Sequence, residues 1–233
     1  MTDTQPRKIY FAAALFCGRE TWFNATLTQL LEKQGHVVML PQRDGFEFAE
    51  LGKNLKGVVP NDEIPQAVQS IIYLLDVGHF LPSAHLVLAN LDEPLDDGVL
   101  VEVCHARQIG IPVIGFRTDV RTPYGDGSDA FGGAHFFAAY QCDCFFTHHL
   151  PFSDHEGSAE VAWEQLETRI AAAIRECRPA IPSPSIEQDL ASEMFAGLNG
   201  PVNAPQNVPL IVRRYANLRE RMQTLRPRLV KRP

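Results

Sequence analysis

The feature that most constrains this chain is the alternation of short, almost wholly apolar runs with longer segments of helical periodicity. Lys8–Ala14 (KIYFAAA), His36–Leu40 (HVVML), His85–Leu91 (HLVLANL), Ile111–Phe116 (IPVIGF) and Cys144–Thr147 (CFFT) read as strands. Between and after them, Glu20–Gln34 reads as an amphipathic helix ended by Gly35. Asp62–Asp76 carries Ile64, Val68, Ile71, Ile72 and Leu75 on one stripe after an acidic start, Gly98–Gln108 is closed by Gly110, and Ser158–Cys177 is rich in Ala and Glu. A strand that is apolar on both sides must be covered on both sides, which calls for a parallel sheet between two helical layers. Such sheets bind ligands beyond the carboxyl ends of their strands, near the switch in strand order. The segments that follow each strand are therefore where chemistry is sought.

Length and composition bound the rest. A chain of 233 residues, 45% hydrophobic, buries one sizeable core. Beyond Arg178 the texture changes to Pro/Gly/Asn-rich stretches (PAIPSPS, GLNGPVNAPQNVP) around two short helix candidates, Ile186–Leu198 and Val208–Leu225. The expected division is a catalytic domain over residues 1–178 and a linker with a basic extension over 179–233. No apolar run reaches membrane-spanning length, and Met1–Lys8 lacks the layout of a secretion signal, so a cytoplasmic protein is expected. The five cysteines follow no framework spacing, and Cys142 and Cys144 stand too close together for a zinc knuckle; free thiols in a reducing compartment are expected. From Arg213 onward eight basic residues face one acid, Glu220, so that segment carries +7 and the remainder −14 of a net charge of −7. An acidic body repels a polynucleotide backbone. The basic tail either binds phosphates or RNA, lies on acidic surface of the body or of a neighbouring subunit, or is solvated.

Carboxylates crowd one of the searched segments. After the third strand comes Asp92-Glu-Pro-Leu-Asp96-Asp97-Gly98, leading into the helix that bears Glu102. Asp96 or Asp97 is a natural N-cap, and Gly98 permits a tight entry. Glu102, flanked by Val101 and Val103, is either an exposed helix glutamate or a partly buried carboxylate that needs partners.

Three stretches, in this order and spacing, resemble the nucleoside 2-deoxyribosyltransferase family: KIYFAAALF at Lys8–Phe16, PQRDG at Pro41–Gly45 and DDGVLVEVCHA at Asp96–Ala106. The resemblance runs from about Lys8 to Thr147. It implies that Glu102 is the nucleophile, that the Tyr10 hydroxyl sets its carboxylate, and that Phe16 walls the base pocket. It implies base-binding roles for Asp96, six residues before Glu102, and for Asp76 on the preceding helix, with Gln42 at the base edge and Asp92 among the substrate contacts. The family's Asn-Leu-Met stretch, which reaches the sugar 5′-hydroxyl from a neighbouring subunit, is matched here by His135-Phe136-Phe137. His135 therefore either meets a 5′-oxygen or 5′-phosphate or is a half-buried surface histidine, and Phe137 joins it as a candidate sugar contact. Cys104 stands where the family has Gly. Ala12–Ala14 lacks the Ser- and Gly-rich phosphate contacts of members that hydrolyse nucleoside monophosphates.

The chemistry implied is coherent. Loss of a nucleobase from C1′ passes through an oxocarbenium-like state that a carboxylate stabilises and then traps. A second carboxyl that keeps its proton assists the leaving base. His148, His149 and His155 suggest a metal tract but lack recurring ligand spacing, so a solvated loop and no metal are expected. Gly125–Gly133 reads as a loop over the cleft. The expected fold is α/β, a doubly wound (flavodoxin-like or Rossmann-like) five-stranded parallel sheet with helices on both faces, plus a C-terminal helical and irregular extension. The resemblance implies nucleosides and free nucleobases as partners, a homo-oligomer with sites shared across subunits, and no cofactor. Deoxyribosyl transfer is the first expectation. Hydrolysis of (deoxy)nucleosides or their 5′-monophosphates by the same residues is the second, and a non-catalytic nucleoside-binding protein the third.

Overall fold

A computed structural model describes residues 5–150 and 158–222. In chain order the elements are β1 (Lys8–Ala12), α1 (Gly18–Lys33), β2 (Val37–Met39), α2 (Phe48–Leu55), α3 (Ile64–Tyr73), a π-helix (Leu74–Phe80), β3 (Leu86–Asn90), α4 (Asp97–Gln108), β4 (Val113–Arg117), β5 (Cys144–Thr147), α5 (Ser158–Glu176), α6 (Ile186–Phe195) and α7 (Val208–Met222). Single helical turns stand at Pro41–Asp44, Asn61–Glu63, Leu81–Ser83 and Phe136–Ala139. Two compact units result, which do not follow chain order. One joins Met1–Leu40 to Leu81–Ser183, and the other joins Pro41–Phe80 to Pro184–Pro233.

The first unit holds the whole sheet. Its order is β2-β1-β3-β4-β5, with every pair parallel. This is the doubly wound arrangement expected, and the strand order reverses between β1 and β3. Side chains alternate across each strand. Ile9, Phe11, Val38, Leu86, Leu88, Ile114 and Phe116 face one side, where they pack with Leu27 and Leu31 of α1 and with Leu166, Ile170 and Ile174 of α5. Burying each such side chain contributes about 1.5–3 kcal/mol before chain entropy is subtracted. Tyr10 points to the opposite side, where α4 packs against β1, β3 and β4 through Val99, Val103 and Ala106. The sheet is thus covered on both faces. The first strand ends at Ala12 rather than Ala14, because the chain leaves the ladder to form the α1 cap, where Glu20 accepts from the N–H groups of Phe16 and Cys17.

The second unit is helical. Leu51 and Leu55 of α2, Val68 and Ile71 of α3, Leu190 and Met194 of α6, and Ile211, Tyr215 and Leu218 of α7 are buried within it. The helix expected over Asp62–Asp76 is in fact three pieces: the turn at Asn61–Glu63, α3, and the π-helix that takes in Asp76. α2 has no counterpart among the expected helices, α6 ends at Phe195, and α7 is described as far as Met222, the expected end at Leu225 lying outside the described residues. The described part of the basic tail lies on its own unit. Arg214 donates to the carbonyl oxygens of Met194 and Ala196, Arg219 pairs with Glu63, and Arg221 pairs with Glu193. Arg226, Arg228, Lys231 and Arg232 lie outside the described residues. Among the described residues no helix is long and apolar enough to cross a membrane, and all five cysteines are free thiols.

Candidate active site

Tyr10 is fully buried in the centre of β1, and its hydroxyl donates to Oε1 of Glu102 over 2.8 Å. The alternation of β1 sends this side chain to the α4 side. The period of α4 sets Glu102 on the same stripe as Val99 and Ala106, three and four residues away. Asp96 starts that helix: its extended backbone (φ −75°, ψ 128°) and Oδ1, which accepts from Val99 N over 2.9 Å, form the N-cap. Glu102 is half-buried and hydrogen-bonded, so it is not the exposed helix glutamate that composition alone allowed. A phenol that donates to a carboxylate favours the charged form and fixes one oxygen, leaving the carboxylate oriented as a nucleophile needs to be.

A cleft of about 450 Å³ opens at the carboxyl ends of β1, β3 and β4, and neither Tyr10 nor Glu102 is among its lining residues. Asn24, Asn90, Asp92, Asp96, Arg19 and Arg121 are among its lining residues. Asp92 is a brace within it. Its Oδ1 accepts from the backbone N–H groups of Thr118 (2.5 Å) and Asp119 (3.1 Å), and its Oδ2 accepts from the Thr118 hydroxyl (2.6 Å). These bonds tie the segment after β3 to the segment after β4. A second brace was missed in the sequence. Arg117, the last residue of β4, is 1% exposed and pairs with Asp119, and it also donates to Arg121 O (2.7 Å) and Gly132 O (3.3 Å). A charged residue ending a buried strand was the available signal, since a buried guanidinium requires partners of this kind.

The remaining candidates of this unit stand apart from the cleft lining. Phe16 is 79% exposed and does not line it. His135 caps the turn at Phe136–Ala139, its Nδ1 accepting from Phe137 N over 3.2 Å, and its ring lies 4.3 Å from that of Tyr124. Phe137 is 63% exposed. The Gly125–Gly133 loop is pinned by Asp129, whose Oδ1 accepts from Phe131 N and Gly133 N. His148 and His149 donate to the carbonyl oxygens of Ala162 and Asp119, and His155 lies outside the described residues. Among the described residues no group of three His, Cys, Asp or Glu side chains is arranged to hold a metal ion.

Gln42 and Asp76 belong to the second unit. Gln42 sits half-buried in the turn at Pro41–Asp44. Asp76 lies in the π-helix, part of its residue surface still open, but its Oδ1 is enclosed with no hydrogen-bond partner among the described residues. That burial pushes its carboxyl up to about 7. A helix interrupted by π geometry is rare and is often found at functional sites.

No curated protein sequence matches the chain. A solved 2-deoxyribosyltransferase from the psychrotolerant bacterium Bacillus psychrosaccharolyticus is 18% identical, with a TM-score of 0.42 over 76% of this chain and 99% of that one. The sugar isomerase domain of an RpiR transcription factor from Sphaerobacter thermophilus is 12% identical, with a TM-score of 0.32 over 72% of this chain and 74% of that one. A family profile described as nucleoside 2-deoxyribosyltransferase matches residues 9–134, more than half of the sequence. That span runs from β1 with Tyr10, through Asp76, Asp92, Asp96 and Glu102, to the loop beyond β4, and on this match the chain belongs to the nucleoside 2-deoxyribosyltransferase family.

Proposed function

We propose that this protein moves a 2-deoxyribosyl group from one nucleobase to another through a covalent intermediate on Glu102. The observation that carries the proposal is the Tyr10–Glu102 hydrogen bond between β1 and α4 of a doubly wound sheet, in a chain of this family. In the first half-reaction a Glu102 carboxylate oxygen bonds C1′ as the N-glycosidic bond breaks. The bonding pair leaves with the base nitrogen, and a carboxylic acid protonates the base. Asp76 has the property that acid requires, a carboxyl that still holds its proton near neutral pH. In the second half-reaction a ring nitrogen of another base bonds C1′, the Glu102 ester breaks, and the incoming base returns a proton to the acid. Asp96, whose Oδ1 caps α4, is the second candidate contact to the base. Phe16, Gln42, Asp92, His135 and Phe137 complete the proposed substrate contacts, and association of identical subunits is part of the same proposal.

The test is a chromatographic assay with deoxyinosine plus free adenine and, separately, thymidine plus free cytosine. New deoxynucleoside is the expected product, with ribonucleosides as the control for the 2′-deoxy preference. Free deoxyribose without new nucleoside assigns the chain as a hydrolase, and no turnover of any nucleoside or monophosphate assigns it as a binding protein.

A further inference from the structure

Residues beyond the family match reach the segment that carries Asp76. The π-helix is packed against α3 and, most extensively, against α6. At Gly78 the approach of α6 leaves no room for a side chain: a Cβ there would lie 2.4 Å from the carbonyl oxygen of Glu187 and 2.9 Å from the Cβ of Ala191. One residue further on, the His79 ring meets that of Phe195 with centroids 5.2 Å apart. Ala191, Met194 and Phe195 are all buried. α6 is itself held at both ends. The Ser185 hydroxyl caps Gln188 N over 3.2 Å, and Arg214 of α7 donates to the carbonyl oxygens of Met194 and Ala196 at the other end. A seven-residue π-helix departs from the geometry the chain adopts by default, so its surroundings must hold it there.

We infer that α6 is a positioning element for the reaction: by docking on Gly78 and His79 it holds the π-helix in register and keeps water from the Asp76 carboxyl. The inference rests on the proposed role of Asp76 as the acid, and it brings the C-terminal helices into the catalytic apparatus. Gly78 and Phe195 act through Asp76 as positioning residues. The titratable groups of the elements concerned are His79 on the π-helix, Tyr73 on α3, and Glu187, Asp189 and Glu193 on α6. Burial lowers His79 and raises Tyr73, with Glu187 adding to the rise at Tyr73. Loss of desolvation is therefore what a loosened α6 delivers to Asp76.

The experiment compares kcat across pH 5–9 for wild type, Gly78→Ala and Phe195→Ala in the full chain, with circular dichroism to confirm folding. Wild type should lose kcat as pH rises through about 7, as Asp76 gives up its proton. Each folded variant should show that loss at least about one pH unit lower, which is roughly a tenfold fall in kcat above neutrality, while KM changes much less. Folded variants whose alkaline limb coincides with that of wild type overturn the inference; if Gly78→Ala does not fold, Phe195→Ala decides. Asp76→Asn separates the two layers. If it keeps the wild-type rate and limb, the acid role of Asp76 fails and the inference with it. If it abolishes the limb while Gly78→Ala and Phe195→Ala leave it in place, only the role of α6 fails.

Discussion

Glu102 and Asp76 are both carboxylates on helices, and their surroundings differ in the one respect that matters for proton chemistry. Glu102 is half-buried on α4 and receives a hydrogen bond from Tyr10, a donor that serves the ionised form. Asp76 has an oxygen enclosed with no donor among the described residues, and burial drives its carboxyl up to about 7. One environment supplies a hydrogen-bond donor to the carboxylate, while the other withholds water and raises the carboxyl's affinity for its proton. The contrast teaches that the proposed division of labour between nucleophile and acid would be set by hydrogen bonding and water access, since the two functional groups are chemically alike.

The largest effect expected from breaking this contrast is at Glu102. Glu102→Ala should lower transfer by about 10⁴-fold or more, as loss of a catalytic nucleophile does. Circular dichroism should be unchanged, since Val99, Val103 and Ala106 still anchor α4. Asp76→Asn comes next, with a fall in kcat of about 10²–10⁴-fold. It carries a second signature in stability. A carboxyl at 3.8 when unfolded and about 7 when folded gives stability that is fully present below 3.8 and is lost as pH rises toward 7. Removing the charge should therefore stabilise the protein by an amount that grows from pH 4 to 7 and levels off at no more than about 4 kcal/mol, as read from urea unfolding at several pH values. A variant that loses activity and gains no stability at pH 8 contradicts the buried-acid description.

Smaller effects sharpen the comparison from the Glu102 side. Tyr10→Phe keeps the ring packing and removes only the donor, so kcat should fall about 10–100-fold, the worth of a hydrogen bond to a charged group. An unchanged kcat would show that α4 alone orients Glu102. Asp92→Asn should act mainly on stability, lowering it by about 1–3 kcal/mol by thermal unfolding, because its oxygens hold Thr118 and Asp119. A loss of activity without a loss of stability would make Asp92 a substrate contact instead of a brace.

What could be read from the sequence follows the same physics. Strands buried on both faces leave near-continuous apolar runs, so the five strands and their parallel arrangement were legible. The Tyr10–Glu102 pairing was legible only through the family pattern, because periodicity alone left Glu102 free to be an exposed helix residue. The π-helix was not legible. Leu74, Leu75, Val77 and Phe80 suit ordinary helical spacing, and the departure goes with Gly78 packing against Glu187 and Ala191, more than a hundred residues later in the chain. The Arg117–Asp119–Arg121 network was hinted at only by a charged residue at the end of an apolar run, and its partners become evident only from the burial of Arg117. The grouping of residues 41–80 with the C-terminal helices is tertiary information of the same kind.

The most direct test is to trap the sugar on the enzyme. Incubation with a 2′-fluoro-2′-deoxynucleoside, followed by proteolysis and mass spectrometry, should find the fluorosugar esterified to the peptide containing Glu102 and absent from Glu102→Ala. Wild-type enzyme that turns over deoxynucleosides yet carries no sugar at Glu102, or carries it on another residue, contradicts the account.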